Sequence, residues 1–213
     1  SWLFGIASIF IIGANFWTLR TPEKFEPQYF DYAYPWKRLF ARKSWRNFIA
    51  YLGYGEELVH LSIWPIFIFV VVKDYFNAGM VAAVASLVTA FITFYIGKLV
   101  DHKHRYDVLR IGTVLYALSW FLRIFVATGP HVFVADSLAR TAKKVTVVPL
   151  NVITYDKARN HTPMHTVVFY EFSLIVGKVF AALLMFVLLF AFEGFTPIFI
   201  VAGLMTLLYA LLK

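Results

Sequence analysis

Gly97-Lys98-Leu99-Val100-Asp101-His102-Lys103-His104-Arg105-Tyr106 is a short basic hairpin set between two long apolar runs, residues 78–96 and 108–126. About 20 apolar residues of helix cross the hydrocarbon core of a bilayer. A chain that enters such a hairpin and returns at once therefore has the pattern of a double crossing. The charge of the hairpin also marks which side is cytoplasmic.

Composition supports the same class. Of 213 residues, 61% are hydrophobic and 15% charged, and the mean hydropathy is +0.71. Soluble domains run at about half apolar and about a quarter charged. The excess cannot be hidden in a soluble core of this size, so the chain reads as an all-α polytopic membrane protein. The 23 phenylalanines suit lipid-facing helices. Cysteine is absent, which excludes disulfides and thiolate metal sites. The net charge of +8 does not indicate nucleic acid, because most basic residues lie in loops between apolar runs.

The apolar pattern predicts about seven transmembrane helices: residues 2–19, 48–72, 78–96, 108–126, 131–153, 167–192 and 198–212. Residues 20–47 form a linker. Within it, 35–47 has Trp36, Leu39 and Phe40 on one side and Lys37, Arg38, Arg42 and Arg46 mainly on others, the pattern of a basic amphipathic helix on the membrane surface. Pro65 is expected to kink the second span. A polar loop is expected over 154–166. The chain begins at Ser1 inside an apolar run and ends at Lys213 directly after one, and so reads as part of something longer.

Seven crossings place the two ends on opposite sides. On one side lie Arg20, Lys24, Lys37, Arg38, Arg42, Lys43, Arg46, Lys98, Lys103, Arg105, Arg110, Lys157, Arg159 and Lys213, fourteen in all; the opposite loops hold only Lys73. This asymmetry predicts an integral protein of the plasma (inner) membrane, with residue 1 outside and residue 213 in the cytoplasm.

The hairpin resembles the loop signature of major facilitator superfamily transporters: a glycine, an aspartate four residues on, then Gly-Arg and a further basic residue. Gly97, Leu99, Asp101 and Arg105 match; His104 stands where the second glycine is usual and Tyr106 where the second basic residue is usual. In that family the loop joins the second and third helices of each six-helix half. The resemblance implies that residues 1–19 end the N-terminal half, that 20–47 are the cytoplasmic linker and that 48–213 are the six-helix C-terminal bundle. The remainder of the N-terminal half would be the missing partner. The implied function is alternating-access transport of a small solute, with an aspartate at position 101 helping to lock one conformation.

Charged residues inside the spans are the candidate solute and proton pathway, because a charge at mid-bilayer costs about 2.5–3.5 kcal/mol and must face a cavity or a partner. Glu56 and Glu57 lie roughly 12 Å into their helix, and His60 follows one turn later. Asp136, Arg140 and Lys143 or Lys144 share one face, and Glu171 and Lys178 share another. The spacing predicts that Lys178 and the Asp136/Arg140 face contact solute and that Glu56 or Glu57 carries a coupling proton, the alternative being a glutamate that simply pairs with a nearby lysine. A mildly positive cavity would admit an organic anion, or bind one glutamate and leave the other free to titrate. Arg123, near a helix end, is expected to snorkel to the surface.

Two alternatives come from other features. His102, His104, His161 and His165 could hold a metal in an integral membrane metalloenzyme. Six histidines in total are too few for the di-iron class, so neither catalysis nor a cofactor is expected. A half-transporter with an uncovered polar face could also self-associate without transporting anything.

Overall fold

The computed structural model describes residues 2–20, 31, 33–101, 105–160 and 163–213. His102, His104 and His161 of the hypothetical metal site, and most of the linker between 20 and 34, lie outside the described residues. The chain forms two units, Ser1–Asp31 and Tyr32–Lys213. The first contains helix α1, Trp2–Leu19.

The second unit is built from α2 (Tyr34–Phe40), α3 (Trp45–Val72), α4 (Tyr75–Asp101), α5 (Arg105–Phe125), α6 (Gly129–Asn160), α7 (Pro163–Ala191) and α8 (Thr196–Leu211). No strand occurs among the described residues. Among the described residues, four helices are long and apolar enough to cross a membrane: α3, Gly79–Lys98 within α4, α5 and α7. Of the other three in this unit, α2 has seven residues, α8 is short and α6 carries charged residues along its middle.

Several expected boundaries move. The single amphipathic helix at 35–47 is two pieces: α2 ends at Phe40, a turn follows, and α3 begins at Trp45. α2 packs against α7, with Trp36 edge-on to Phe172 at 4.6 Å between centroids and the Arg38 guanidinium 4.8 Å from the Phe169 ring. The loop expected at 154–166 is helical through Asn160 and again from Pro163. The kink expected at Pro65 is preceded by a widened turn over Val59–Ile63, after which Pro65 sits in the first turn of Trp64–Val72. A proline has no N–H to give to a regular ladder, and an irregular turn ahead of it absorbs the loss.

Helix ends are set by local chemistry. α3 stops where Lys73 turns left-handed at φ 57° and its N–H reaches the Phe69 carbonyl. The bend between α7 and α8 uses Gly194 at φ 88°, a conformation that favours glycine. One end of the bundle is tied across the chain: Arg46 Nε donates to the Leu211 carbonyl, Lys213 N donates to Asn47 Oδ1, and Arg105 pairs with Asp156.

Two glycine contacts bring helices close enough to position the site. A Cβ on Gly177 of α7 would lie 2.5 Å from the Leu52 carbonyl oxygen of α3, and one on Gly112 of α5 would lie 2.7 Å from the Val145 carbonyl of α6. The core is aromatic where α3, α5 and α8 meet, with Trp64, Trp120 and Phe199 all buried.

Candidate functional site

The close approach at Gly177 places the irregular stretch 53–63 of α3 against α7, and so sets Glu57 beside Lys178. Lys178 Nζ lies 2.9 Å from Glu57 Oε2, while Lys143 Nζ, from α6, lies 3.4 Å from Glu57 Oε1. Tyr54 donates to the same Oε1 at 3.0 Å. Glu57 is thus clamped between cations from two other helices.

Glu56 points the other way and is fully buried. Tyr116 of α5 donates to its Oε2 at 2.5 Å and Tyr209 of α8 to its Oε1 at 3.2 Å. Lys143, at 3.8 Å from Oε1, is its one ion-pair partner among the described residues. A buried carboxylate needs such donors, because an uncompensated charge in a low-dielectric interior is strongly unfavourable.

A second cluster lies about two turns along, Asp136 being seven residues from Lys143 and Arg123 seven from Tyr116. Asp136 of α6 is fully buried and accepts from Trp64 Nε1 at 2.8 Å and Arg140 Nε at 2.7 Å. Arg123 of α5 is also fully buried, so the expected snorkelling is corrected. Its guanidinium carbon lies 4.1 Å from the Trp64 ring and 3.9 Å from the Trp120 ring. Nη2 meets His60 Nδ1 at 3.2 Å, while Nε and Nη1 have no hydrogen-bond partner among the described residues. The short terminal turn Arg123–Phe125 holds the side chain inside, and two indole faces supply the attraction that solvent would otherwise give.

Glu56, Glu57, His60, Asp136, Arg140, Lys143 and Lys178 therefore come together from three helices. Glu171 does not join them: it is exposed, without a hydrogen bond or ion pair among the described residues, and Lys178 turns to Glu57 instead. Of the hairpin residues, Gly97 lines a cleft between α4 and α6, Asp101 ends α4 and Arg105 pairs with Asp156. No group of three or more metal-ligating side chains occurs among the described residues, and His165 stacks on Tyr34 at 4.1 Å. Sequence reasoning passed over Tyr54, Tyr116, Tyr209, Trp64 and Trp120. A tyrosine or tryptophan in an apolar run reads as core, and only its partner shows that its polar edge is in use.

Comparison of the chain with protein-family models, with curated proteins and with solved structures gives no match.

Proposed function

We propose that this chain belongs to a secondary active transporter of the major facilitator type, forming its C-terminal six-helix half with the preceding helix and linker. In this reading it is a multi-pass protein of the plasma membrane, with the hairpin on the cytoplasmic side. It moves a small solute by alternating access, and protons are the coupling ion. The observation that carries the reading is the clamp on Glu57. A carboxylate on α3 held by lysines from both α6 and α7 joins three helices by contacts that can be exchanged for a solute or a proton. A protein that only needed to pack in lipid would have no use for charges there, since each is expensive to insert.

The test is solute-driven proton flux by the complete gene product in proteoliposomes with an entrapped pH dye. A panel of carboxylates, sugars and amines is offered, and wild type is compared with Lys178→Ala and Glu57→Gln. Flux that falls sharply in both variants is the expected result. Wild-type flux in both would remove these residues from the pathway. No flux with any solute, from folded protein, would overturn the transporter reading.

A further inference from the structure

Next to the carboxylate cluster, a cleft of about 870 Å³ opens between α3, α4 and α6. Lys98, Arg140, Lys143 and Lys144 line it together with His60, and no aspartate or glutamate lines it among the described residues. Two of these cations are compensated from behind, Arg140 by Asp136 and Lys143 by the two glutamates. Lys98 and Lys144 are exposed, with neither hydrogen bond nor ion pair among the described residues. The Thr89 and Thr93 hydroxyls donate to backbone carbonyls one turn back. Leu61, Ala90 and Phe94 supply apolar wall. From Ser86, which meets Arg140 at 3.3 Å, to Lys98 the cleft follows α4 for about 18 Å.

We infer that this cleft binds an organic anion, and that Lys143, shared between the cleft and Glu56, makes binding of that anion draw a proton onto Glu56. The inference rests on the transporter reading and names its solute class. A volume of this order suits a small molecule, roughly 300–1,000 Å³ being usual. Surplus positive charge, guanidinium and ammonium donors and an apolar wall together select a carboxylate or phosphate carrying a hydrocarbon part.

The coupling follows from the number of cations around each carboxylate. Glu57 has Lys178 besides Lys143; Glu56 has Lys143 as its one ion-pair partner among the described residues. The other titratable or charged groups acting on Glu56 and Glu57 are Tyr54, Tyr116, Tyr209, His60 and Arg123. Arg123 acts on Glu56 only from beyond ion-pair distance, with its Nη2 against His60, and does not take the place of Lys143. When an anion in the cleft takes Lys143, Glu57 keeps a counter-charge in contact and Glu56 loses the one in contact with it. A fully buried carboxylate left so is neutralised by a proton from water, and Tyr116 or Tyr209 then turns its hydroxyl oxygen to accept it. Departure of the anion returns Lys143 and releases the proton.

The complete gene product, purified in dodecyl maltoside, is titrated with octanoate in weakly buffered solution near neutral pH under a pH electrode. Saturable binding with uptake of about one proton per octanoate is expected, with no competition from octyltrimethylammonium. Arg140→Ala with Lys144→Ala should weaken binding by about tenfold or more. Lys144→Glu, a change at an exposed side chain, serves if the double variant does not fold, and should weaken binding as well. Glu56→Gln, folded by size exclusion, should bind without proton uptake. Absence of octanoate binding, binding by wild type without proton uptake, or undiminished uptake in Glu56→Gln would each overturn the inference. Adding phosphatidylglycerol to phosphatidylcholine nanodiscs separates two sources of the anion. Competition assigns the site to a lipid phosphate and no competition to a soluble anion, and the anion site stands in both cases. Failure to bind octanoate by a protein that still moves an uncharged solute would leave transport standing and this inference refuted. Binding with proton uptake but no flux would do the reverse.

Discussion

Trp64 donates its indole N–H to Asp136 Oδ1 at 2.8 Å, and the face of the same indole lies 4.1 Å from the Arg123 guanidinium. One side chain of α3 therefore serves an anion of α6 with its edge and a cation of α5 with its face. This joins the three helices at a depth where neither charge reaches water.

Trp64→Phe separates the two roles. It keeps a ring under Arg123 but removes the donor to a carboxylate that is fully buried. A hydrogen bond to a charged group contributes about 1.5–3 kcal/mol, so thermal or denaturant unfolding in detergent should show a loss in that range. Adding Asp136→Asn should recover part of it. Strict additivity of the two changes would show that the indole and the carboxylate are not coupled.

The two lysines on Glu57 should behave differently when removed. Lys178 is 40% exposed at its side chain and can be replaced in part by water. Lys178→Ala should cost no more than about 1 kcal/mol of stability. Lys143 is 15% exposed and serves the fully buried Glu56 as well. Breaking a buried pair from one side costs about 3–5 kcal/mol. Lys143→Ala should therefore unfold at much lower temperature than Lys178→Ala, and a second change, Glu56→Gln, should restore much of the difference. Equal losses from the two lysine variants would show that Glu56 does not depend on Lys143.

Four of the helices are legible in the sequence because their signal is long and uniform: about twenty apolar residues outweigh any local turn preference. It also singles out the charges of α3 and α6, since a charge in such a run has few places to go. The outcome for each charge is another matter. Arg123 sits near a helix end, where length and flexibility predict an escape to water, yet two tryptophans from different helices hold it inside. Glu171 and Lys178 share a face by spacing, yet Lys178 finds a better partner on α3. Periodicity relates residues on one helix and is silent about the neighbouring helix that competes for them. The split of the segment 35–47 has a similar origin, because Trp36 and Arg38 gain contacts on α7 that no local pattern encodes.

Glycine substitutions should separate packing from the mere presence of a small residue. Gly177→Ala and Gly112→Ala each drive a methyl group into the backbone of another helix, at 2.5 Å and 2.7 Å from a carbonyl oxygen. Backbone cannot rotate away as a side chain can, so overpacking of about 1–3 kcal/mol or more is expected. Gly177→Ala should also loosen the Glu57–Lys178 pair, which depends on the same approach. Gly79, on α4, has open space around it, and Gly79→Ala should be neutral or stabilising by up to about 1 kcal/mol. Melting temperatures of the three variants in one detergent decide the matter; similar values would mean that the helices are not held in backbone contact.

Arg123 gives the sharpest separation of stability from role. Its charge is fully buried, its contacts are two indoles and a histidine, Asp136 and Glu56 act on it only from beyond ion-pair distance, and two of its nitrogens donate to nothing among the described residues. Cation–π contacts return about 0.5–2 kcal/mol each, whereas the effective desolvation of a buried ion is several kcal/mol. Arg123→Met, with similar reach and no charge, should therefore leave the protein at least as stable. Arg123→Lys should be worse than either, because a compact ammonium is more strongly hydrated and cannot lie flat between two rings. Unfolding followed by the emission of the six tryptophans, Trp64 and Trp120 among them, gives all three values. A loss of more than about 2 kcal/mol in Arg123→Met would mean that the charge itself holds the fold. An unchanged melting point together with lost solute flux in the complete gene product would mean that the site keeps a buried cation for its function.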